Sequence, residues 1–587
     1  MASAPAIFED WVRRFADVVR SADVEGIGAL LVADSWWRDL LALRWEFCTL
    51  HGVGQITDAL RRSLTEHPLT DIRVHTEVAA RPAEFGDRVW VEGFFDFRTP
   101  LGTGRGVVRL VEDPDGRWRA WTVFTALQEL DGLERSLGPR RPMGPEHLYG
   151  AHRRESWLDS RIATTSFKHR EPQVVIIGAG QGGLAVAANL ELMGIDTLAI
   201  ERNARVGDNW RKRYHSLVLH DPVWANHLPY LPFPASWPVY MSKDKIADWF
   251  EFYASTMELN VWTSTELVGS DYDDESGTWT VRLRTKGGER ELHPQHLVLA
   301  TGASGEPNIP DVPGREEFHG VVYHSSEHQS GERMRGRKAV VIGACNSAHD
   351  IAQDLYEAGA KVTMVQRSST YIISQRHGIP IIFGGLYYED GLPTEYADLL
   401  NAATPWPIVQ EFARGNTERI RQIDRALLDR LEKVGFKLNF GVDGGGLMSH
   451  AIRTQGGYYV DVGCSELVAT RKIAVAQGAG VASFTPSGVA LTDGRNLDAD
   501  LVVFATGYTN MRDTAPRLFG DRIADRCRPA LGLDELHEIN TLWRDSGQPG
   551  LWFMGGPLAW TRIYSQYLAL QIAAIQAGLR PGTLEPG

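Results

Sequence analysis

The sequence predicts an α/β protein with two parallel β-sheets, preceded by a smaller α+β unit. Two glycine-rich turns predict the sheets: an apolar run at 174–177 leads into Gly-Ala-Gly-Gln-Gly-Gly at 178–183, and another at 340–342 leads into Gly-Ala-Cys-Asn-Ser-Ala at 343–348. A strand that passes through such a turn into a helix is typical of a βαβ unit. The α+β unit is predicted by an amphipathic helix at 8–19 followed by alternating strands before residue 130.

The first turn has the residues that a bound dinucleotide requires. Gly178 permits the tight turn, Gly180 lets the backbone approach a pyrophosphate, and Gly183 allows the helix to pack on the strand. The helix N-terminus offers free N–H groups to the phosphates. Glu201 ends the next predicted strand, roughly 20 residues after Gly178, where an acid binds the ribose. We therefore predict a Rossmann-like dinucleotide site here.

The second turn departs from this pattern. Cys345 replaces the middle glycine and adds bulk where a pyrophosphate approaches, while Ala348 replaces the last glycine, which is tolerated. The strand that follows ends in Gln-Arg-Ser at 366–368 with no acid. A basic residue at Arg367 suits a 2′-phosphate, so the turn predicts NADPH rather than NADH. The alternative is that Arg367 only ends a strand at the surface.

Two further strands end in Ala-Thr-Gly, at 300–302 and 505–507. They mark the points at which a second nucleotide domain is inserted into the first. We expect the first domain to comprise residues 173–302 and 501–587, and the second to comprise 303–500. A helical insertion near 375–457 is expected to cover the substrate channel. A Pro-, Gly- and Arg-rich stretch at 137–172 is predicted to be a linker.

Residues 1–136 are predicted to form the separate α+β unit. The opening helix and the later antiparallel strands resemble the cone-shaped nuclear-transport-factor-2-like (SnoaL-like) domains. Trp36, Asp39 and His51 are candidates to line a small-molecule pocket in such a cone. The alternative is a scaffold or dimerisation module in which these side chains are packed.

Composition excludes several classes of function. A formal net charge of −13 argues against a nucleic-acid partner. No stretch reaches the roughly 18 apolar residues of a membrane helix, and the N-terminus has no signal-peptide pattern, so we expect a cytoplasmic protein with no membrane partner. The four cysteines include no C-x-x-C pair. This argues against a zinc site and against a disulfide-reductase flavoprotein, which needs a redox-active pair.

Several segments resemble class B flavoprotein monooxygenases of the flavin-containing monooxygenase family. They are the Gly178 turn, Gly-Asp-Asn-Trp at 207–210, the segment 214–222, both Ala-Thr-Gly turns and Asn-Ser-Ala-His-Asp-Ile-Ala at 346–352. Segment 318–328 follows the family fingerprint F-x-G-x-x-x-H-x-x-x-aromatic, except that His328 replaces the usual Tyr, Phe or Trp. The resemblance covers about residues 173–587. The additional N-terminal unit is most similar to the type II branch, which is associated with ketone oxygenation and relaxed NADPH/NADH preference.

The resemblance implies FAD at the first turn, NADPH at the second with NADH also accepted, and O₂ as co-substrate. It implies oxygen insertion through a C4a-peroxyflavin, with NADP⁺ retained to protect it from water. The turns and the matching segments together predict the following cofactor contacts: Gly178, Gly180, Gly182, Gly183, Glu201, Arg202, Asn209, Trp210, Asp221, Thr301, Gly302, Gly343, Cys345, Asn346, Ser347, Arg367, Ser368, Thr506, Gly507 and Gln566.

The resemblance also implies catalytic residues. Asn226 matches an asparagine that hydrogen-bonds the flavin intermediate, and Asp221 lies near the position of an aspartate that orients a catalytic arginine. Our candidate for that arginine is Arg453, whose cation would stabilise a developing negative charge. The alternative is an exposed arginine in a glycine-rich segment. His324, in the fingerprint, is expected to join the two nucleotide domains.

Baeyer–Villiger oxidation of a ketone to an ester or lactone is the expected activity. The alternatives are N- or S-oxygenation of soft nucleophiles, and an NADPH oxidase or flavin reductase that serves a partner protein. The substrate is expected to be a small ketone, sulfide or amine, and a homodimer remains open. Trp560 and Tyr564, near a Gly-Gly-Pro turn at 555–557, are either pocket-lining or core residues.

Overall fold

The computed structural model describes residues 3–144, 156–302, 306–454 and 456–580. The N-terminal unit is a curved sheet with three helices packed on it. Its helices are α1 (Ala4–Arg20), α2 (Val24–Ala29) and α3 (Gly52–Glu66). Its strands are β1 (Leu31–Leu40), β2 (Phe47–His51), β3 (Thr70–Val74), β4 (Arg81–Phe85), β5 (Arg88–Thr99), β6 (Gly102–Glu112) and β7 (Trp118–Leu130).

The sheet of this unit runs in the order β2-β1-β7-β6-β5-β3, with β4 also paired to β5. Neighbouring strands are antiparallel except β1 and β7, which run parallel. Helix α1 buries Phe8, Trp11 and Phe15 on one face, as its apolar spacing predicts. The linker that follows contains one further helix, α4 (Trp157–Ser166), which buries none of its residues.

The next segment forms the first parallel sheet. Its elements are β8 (Val174–Ile177), α5 (Gln181–Leu192), β9 (Thr197–Glu201), α6 (Asp208–Arg211), α7 (Lys243–Thr256), β10 (Val261–Thr263), the antiparallel strands β11 (Glu266–Asp273), β12 (Thr278–Thr285) and β13 (Gly288–Leu292), and β14 (His296–Leu299). The parallel sheet has the order β10-β9-β8-β14-β27, where β27 (Leu551–Phe553) comes from the C-terminal part. This doubly wound order reverses direction between β8 and β14, where ligands bind in such sheets.

The second parallel sheet repeats this arrangement. Its segment contains β15 (Glu306–Pro307), β16 (Val321–His324), β17 (Lys338–Ile342), α8 (Asn346–Glu357), β18 (Lys361–Gln366), β19 (Tyr371–Ser374), β20 (Tyr458–Asp461), α14 (Cys464–Ala469), β21 (Ala474–Gln477), β22 (Val481–Thr485), β23 (Gly488–Leu491), β24 (Asn496–Asp498) and β25 (Leu501–Phe504). The sheet order is β16-β25-β17-β18-β21, and all its pairs are parallel. The direction reverses between β17 and β25.

One expected boundary is wrong. Residues from 501 onward were expected to return to the first domain, but Leu501–Phe504 pairs with β16 and β17 inside the second sheet. An apolar strand before an Ala-Thr-Gly turn has the same local pattern in either sheet, so only its pairing partners distinguish the two. The second sheet therefore extends to Phe504.

The expected helical insertion lies between β19 and β20. It contains α9 (Ile379–Phe383), α10 (Thr394–Ala402), α11 (Trp406–Ile423), α12 (Arg425–Lys433) and α13 (Gly446–Arg453). After β25 come β26 (Tyr508–Thr509), α15 (Ala515–Phe519), α16 (Asp521–Ala524) and the long helix α17 (Leu558–Gln576). Helix α17 is buried along nearly its whole length. Within the described residues, no helix is long and apolar enough to cross a membrane.

A buried ion pair joins the N-terminal sheet to the C-terminal part of the chain. Arg38, on β1, donates Nε and Nη2 to the carboxylate of Glu538 at 2.8 and 2.6 Å, and each side chain is only 1% exposed. Its Nη1 donates to the Ala402 carbonyl at the end of α10. The hydroxyl of Thr49 also donates to Glu538. Buried polar contacts therefore connect the N-terminal sheet with the insertion and with the C-terminal part of the chain.

We expect Arg38→Met to lower the free energy of unfolding by about 3–5 kcal/mol, because it leaves the Glu538 carboxylate buried without its counter-charge. The matched control is Arg430→Met, which removes an exposed bidentate pair with Glu466 and should cost less than about 1 kcal/mol. Urea unfolding followed by tryptophan fluorescence measures both. Equal effects of the two substitutions would contradict a special role for Arg38.

Candidate active site at the two glycine turns

The first turn is held close to the strand that runs beside it. Gly178 has a φ of +110°, and a Cβ there would lie 2.6 Å from the carbonyl oxygen of Ala300. Its N–H donates to the Ile200 carbonyl at 2.9 Å. A Cβ on Gly183 would lie 1.9 Å from the Gly178 carbonyl oxygen, so helix α5 begins directly against the turn. Only glycine fits these positions, as the sequence predicts.

The second turn has nearly the same geometry. Gly343 has a φ of +136°, and a Cβ there would lie 2.3 Å from the carbonyl oxygen of Ala505. Its N–H donates to the Val365 carbonyl at 3.0 Å. Each turn is thus crossed by the Ala-Thr-Gly turn of the neighbouring strand. The two expected sites lie at the two points of sheet reversal.

The predicted ribose-binding acid is at the first turn. Glu201 is 6% exposed, and its carboxylate accepts hydrogen bonds from the Ala179 N–H at 3.3 Å and the Asn203 N–H at 2.8 Å. The adjacent Arg202 is exposed. A carboxylate held at the mouth of the turn is placed as a ribose ligand requires.

The short helix α6 lies over this turn. A Cβ on Gly180 would lie 3.2 Å from the amide nitrogen of Asn209, and the buried indole N–H of Trp210 has no partner in the described chain. Gly182 faces the C-terminal strand, since a Cβ there would lie 3.1 Å from Met554. The turn therefore presents open backbone, an amide and a free indole donor on one side.

The remaining predicted contacts lie at the ends of parallel strands. Thr301 and Gly302 follow β14, and Gly302 has a φ of +80°. Thr506 and Gly507 follow β25, and the Thr506 hydroxyl donates to the Asn308 carbonyl. Gln566, on α17, is partly exposed between two buried neighbours.

The start of α8 carries the predicted nicotinamide-side residues. Cys345 caps this helix, and burial raises the pKa of its thiol. The side-chain oxygen of Asn346 accepts from the Val460 N–H at 2.9 Å and fixes β20 beside the turn. Ser347 is partly exposed in the first turn of the helix.

The end of β18 presents unpaired positive charge. Arg367 and Ser368 are exposed, and Arg367 has no ion-pair partner among the described residues. A Cβ on Gly480 would lie 3.6 Å from the Arg367 side chain, and one on Gly478 would lie 3.0 Å from the Lys437 ammonium. Lys437 was not predicted, because it belongs to the insertion and no local motif marks it.

The histidines at positions 324 and 328 of the fingerprint segment make structural contacts. His324 is 1% exposed, and its Nε2 lies 3.0 Å from the Gly507 carbonyl oxygen, so it joins β16 to the second Ala-Thr-Gly turn. His328 bonds through Nδ1 to the Tyr323 hydroxyl and through Nε2 to Asp354 on α8. The departure from the fingerprint thus keeps an aromatic ring and adds a polar link to α8.

Asp221 and Asn226 lie together on the loop between α6 and α7. The amide nitrogen of Asn226 donates to the Asp221 carbonyl at 2.8 Å, while its buried side-chain oxygen has no partner in the described chain. Burial raises the pKa of Asp221 to about 6 and lowers that of His220 to about 4. The Asp221 carboxylate makes no hydrogen bond or ion pair with any described residue.

The expected pairing of Arg453 with Asp221 is not formed. Arg453 is the last residue of α13, and its Nη2 donates instead to Asp443 at 2.8 Å. Its side chain is 41% exposed. Helix α13 directs the guanidinium toward the 441–445 segment, so a carboxylate ten residues earlier in the chain takes the place of Asp221.

The aromatic residues after the Gly-Gly-Pro turn belong to the core. Trp560 is 9% exposed and packs edge-on against Trp406, and Tyr564 is fully buried and stacked on Trp543 with ring centroids 4.0 Å apart. A small cavity beside this turn is lined by Asn510, Met511, Ala530, Leu531, Leu542, Gly555 and Gly556. Of the two alternatives, core packing is the one observed.

Known proteins resemble this chain in the region of the two glycine turns. A family model described as pyridine nucleotide-disulphide oxidoreductase matches residues 175–377. The four cysteines of this chain are all free, so the match rests on the nucleotide-binding turns and not on a redox-active disulfide.

The sequence relatives decide the family. An indole-3-pyruvate monooxygenase of rice, YUCCA1, is 33% identical over 362 residues, which cover 61% of this chain and 78% of the relative. A probable indole-3-pyruvate monooxygenase of Arabidopsis thaliana, YUCCA9, is 30% identical over 57% of this chain and 74% of its own length. The chain belongs to the flavin-containing monooxygenase family. Among solved structures, a cyclohexanone monooxygenase superposes with a TM-score of 0.51 at 17% identity, over 69% of this chain and 88% of the other, which shows the shared fold.

Family membership makes the chain a flavin-dependent monooxygenase whose cofactors are FAD and NADP(H) and whose co-substrate is O₂. The residues present fit FAD at the first turn. Gly178 and Gly180 leave the backbone open, Glu201 supplies a carboxylate, and Trp210 and Asn226 hold buried polar atoms with no partner in the described chain. A bound nucleotide would satisfy such atoms.

We expect Gly178→Ala to prevent FAD retention, and Gly343→Ala to abolish reduction by NADPH while FAD stays bound. In each case the new methyl group would overlap a neighbouring carbonyl oxygen at positive φ. The control is Gly194→Ala, which has a φ of +75° but no atom within 4 Å of a Cβ, so it tests backbone strain alone. Absorbance of bound flavin and anaerobic reduction by NADPH measure the two effects. Loss of both functions in Gly194→Ala would show that strain, not overlap, causes them.

Proposed function

We propose that this monooxygenase inserts one atom of O₂ into the bond between the carbonyl carbon of a ketone and a neighbouring carbon. The product is an ester or lactone, and the second oxygen atom is reduced to water by NAD(P)H. The observation that carries the proposal is the loop of Asp221 and Asn226 between α6 and α7. It combines an amide oxygen without a partner with a carboxylate that is free to receive a cation. A nucleophilic attack on a carbonyl develops negative charge, which a cation held by such a carboxylate would stabilise.

The proposal assigns Arg453 as that cation in a second arrangement of the chain. An exposed ion pair such as Arg453–Asp443 is worth less than about 1 kcal/mol, so exchanging it costs little. The strand that begins at Tyr458 is tied to the segment before Asp221, since Gln375 donates its N–H to the Asp461 carbonyl at 3.1 Å and its side-chain amide to the Leu219 carbonyl at 3.2 Å. Burial, together with the Asp221 charge, raises the pKa of Tyr458 to about 12. Arg453 lies only five residues before Tyr458 in the sequence. This short separation supports a second arrangement in which Arg453 reaches Asp221.

The proposed roles of the family residues follow from their contacts. FAD supplies the oxygenating chemistry when bound. Asn226 would orient it through the free amide oxygen, and His324 would keep the two nucleotide sites in register through its link to Gly507. Arg367, without an ion-pair partner in the described chain, and the nearby Lys437 support a preference for NADPH, because two cations suit a 2′-phosphate.

The N-terminal unit is proposed to be an NTF2-like domain with a packing role. Asp39 accepts hydrogen bonds from the Thr125 hydroxyl and the Leu43 N–H, and Trp36 stacks on His51 at 3.8 Å. These contacts favour packed side chains over a small-molecule pocket. The proposed domain limits otherwise follow the expected ranges, with the second nucleotide domain extended to Phe504.

A second candidate is oxidative decarboxylation of a 2-oxo acid. It is favoured by the names of the relatives, which are indole-3-pyruvate monooxygenases. The attack is again on a carbonyl carbon, but the neighbouring carboxylate leaves as CO₂. Oxygenation of N or S atoms and a flavin reductase that serves a partner are the remaining alternatives.

The test is a set of aerobic reactions of the FAD-loaded enzyme with NADPH and ¹⁸O₂. The substrates are cyclic and aryl ketones, aryl pyruvates, thioethers and tertiary amines. Mass spectrometry of the products and the ratio of product to NADPH consumed are measured. Labelled ester or lactone supports the proposal, and a labelled acid with release of CO₂ supports the second candidate. Sulfoxide or N-oxide alone, or hydrogen peroxide equal to NADPH with every substrate, would overturn both.

We expect Arg453→Ala to abolish ester formation and to leave the rate of flavin reduction by NADPH unchanged. Asp443→Asn should have the opposite effect on the product, because it weakens the competing ion pair and frees Arg453 for Asp221. Single-turnover flavin reduction and product yield separate the two steps. Normal ester yield from Arg453→Ala would remove Arg453 from the mechanism.

We expect kcat/KM for the oxygenation to fall as the pH drops below about 6. The buried Asp221 carboxyl has a pKa raised to about 6, so the carboxylate that receives a cation exists only above that pH. In Asp221→Asn, activity should be low at every pH, and the inflection near pH 6 should be absent. An unchanged inflection in that variant would assign it to another group.

A further inference from the structure

Arg562 is a buried cation in the first turns of α17 that no sequence motif assigned to a role. Its Nη1 donates to the carbonyls of Ala225 at 2.7 Å and His227 at 2.8 Å. These two residues flank Asn226 on either side. The guanidinium therefore holds the backbone of the Asn226 loop from both ends.

The counter-charge of Arg562 comes from the helical insertion. Asp398, on α10, accepts from Nε at 2.6 Å and from Nη2 at 2.7 Å, a planar bidentate pair. The Tyr387 hydroxyl donates to the same carboxylate at 2.6 Å, and Asn401 donates to Tyr387. The side chains of Arg562 and Asp398 are 5% and 13% exposed. Four of the five guanidinium N–H groups are thereby used, two on the loop and two on the insertion.

This arrangement makes the position of Asn226 depend on α10. A buried guanidinium that lost Asp398 would be left without a counter-charge, so the loop, α17 and the insertion are stable together rather than separately. Asn226 itself is 1% exposed and keeps a free amide oxygen. Because the guanidinium fixes the backbone carbonyls on both sides of Asn226, it limits the directions in which the Asn226 side-chain oxygen can point.

We propose that Arg562 and Asp398 are positioning residues that set the orientation of Asn226 toward the flavin. The helical insertion thereby contributes to the geometry of the oxygenating site through Asp398. The inference rests on the proposed role of Asn226 in the site.

The test is a double-mutant cycle between Arg562→Lys and Asn226→Ala in the FAD-loaded enzyme. Lysine keeps the charge but cannot bridge both carbonyls and Asp398 at once. Two properties are measured that need no ketone: the visible absorption spectrum of bound FAD, and the fraction of NADPH electrons released as hydrogen peroxide. Anaerobic flavin reduction by NADPH is followed as a measure of the intact nucleotide site.

Each single substitution should shift the flavin spectrum and raise the peroxide yield, while the rate of flavin reduction stays within about twofold. The double variant should be no worse than Asn226→Ala alone, since Arg562 acts through Asn226. Asp398→Asn should reproduce Arg562→Lys. The control Arg430→Lys, at the exposed bidentate pair with Glu466, should change none of these properties.

Additive effects of the two substitutions would overturn the proposal, as would a spectrum and a peroxide yield unchanged in both Arg562→Lys and Asp398→Asn. The proposal would also be overturned if Arg562→Lys changed the flavin spectrum or the peroxide yield while Asn226→Ala changed neither. Because none of these measurements uses a ketone, failure of the proposed ketone oxygenation is seen separately in the product assays.

Discussion

The structure depends on two close approaches of backbone to backbone. At Gly178 and at Gly343 the chain turns with positive φ directly beneath the carbonyl of an Ala-Thr-Gly turn, at Ala300 and Ala505. A side chain at either glycine would push the two strands apart at the edge where the sheet order reverses. Because both sheets are built this way, each has an open crevice at the same kind of position. The two crevices are what allow one chain to hold two nucleotides.

Buried arginines connect these sheets to the parts of the chain that surround them. Arg38 reaches Glu538 and the end of α10, and Arg562 reaches Asp398 on α10 and the loop of Asn226. Helix α10 therefore receives a guanidinium from the N-terminal sheet at one end and pairs with another from α17 in its middle. Either cation without its partner would be a large cost in a medium of low polarity. The insertion is consequently held against both the N-terminal unit and the flavin side of the site.

The sequence predicts best what is encoded within a few residues. Local patterns predicted the glycine turns, Glu201 at the end of its strand and the helical character of the insertion. The structure contains all three. Strand β1 has no clear local pattern, because Arg38 and Asp39 interrupt its apolar residues and their partners lie far away in the sequence. The assignment of Leu501–Phe504 failed for a related reason: its apolar strand pattern suits either sheet.

The same limit applies inside the site. Asn226 and Asp221 were expected in the site from the family resemblance, and they lie together in the structure. The partner of Arg453 was not predictable, because its choice between Asp443 and Asp221 depends on how α13 packs. Arg562 lies between Trp560 and Tyr564, yet its role is visible only in the structure, where the carbonyls of residues 225 and 227 converge on it. Every residue has a backbone carbonyl, so the sequence does not show which carbonyls will accept a hydrogen bond from an arginine.

Cys345 shows how one substitution in a motif can change what the motif touches. A glycine at this position would have no side chain, and the start of α8 would face only the space for the nucleotide. The thiol instead lies beside the N–H groups of Gly457 and Tyr458, which oppose the rise in its pKa that burial causes. The side chain thus fills the space between the second turn and the start of β20, and Asn346 next to it bonds the same strand. Strand β20 is in turn tied to the segment before Asp221, because Gln375 bonds both the Asp461 and the Leu219 carbonyls. The residue that weakens the glycine pattern therefore packs the second turn against a strand that is linked, through Gln375, to the segment that leads into the Asp221 loop.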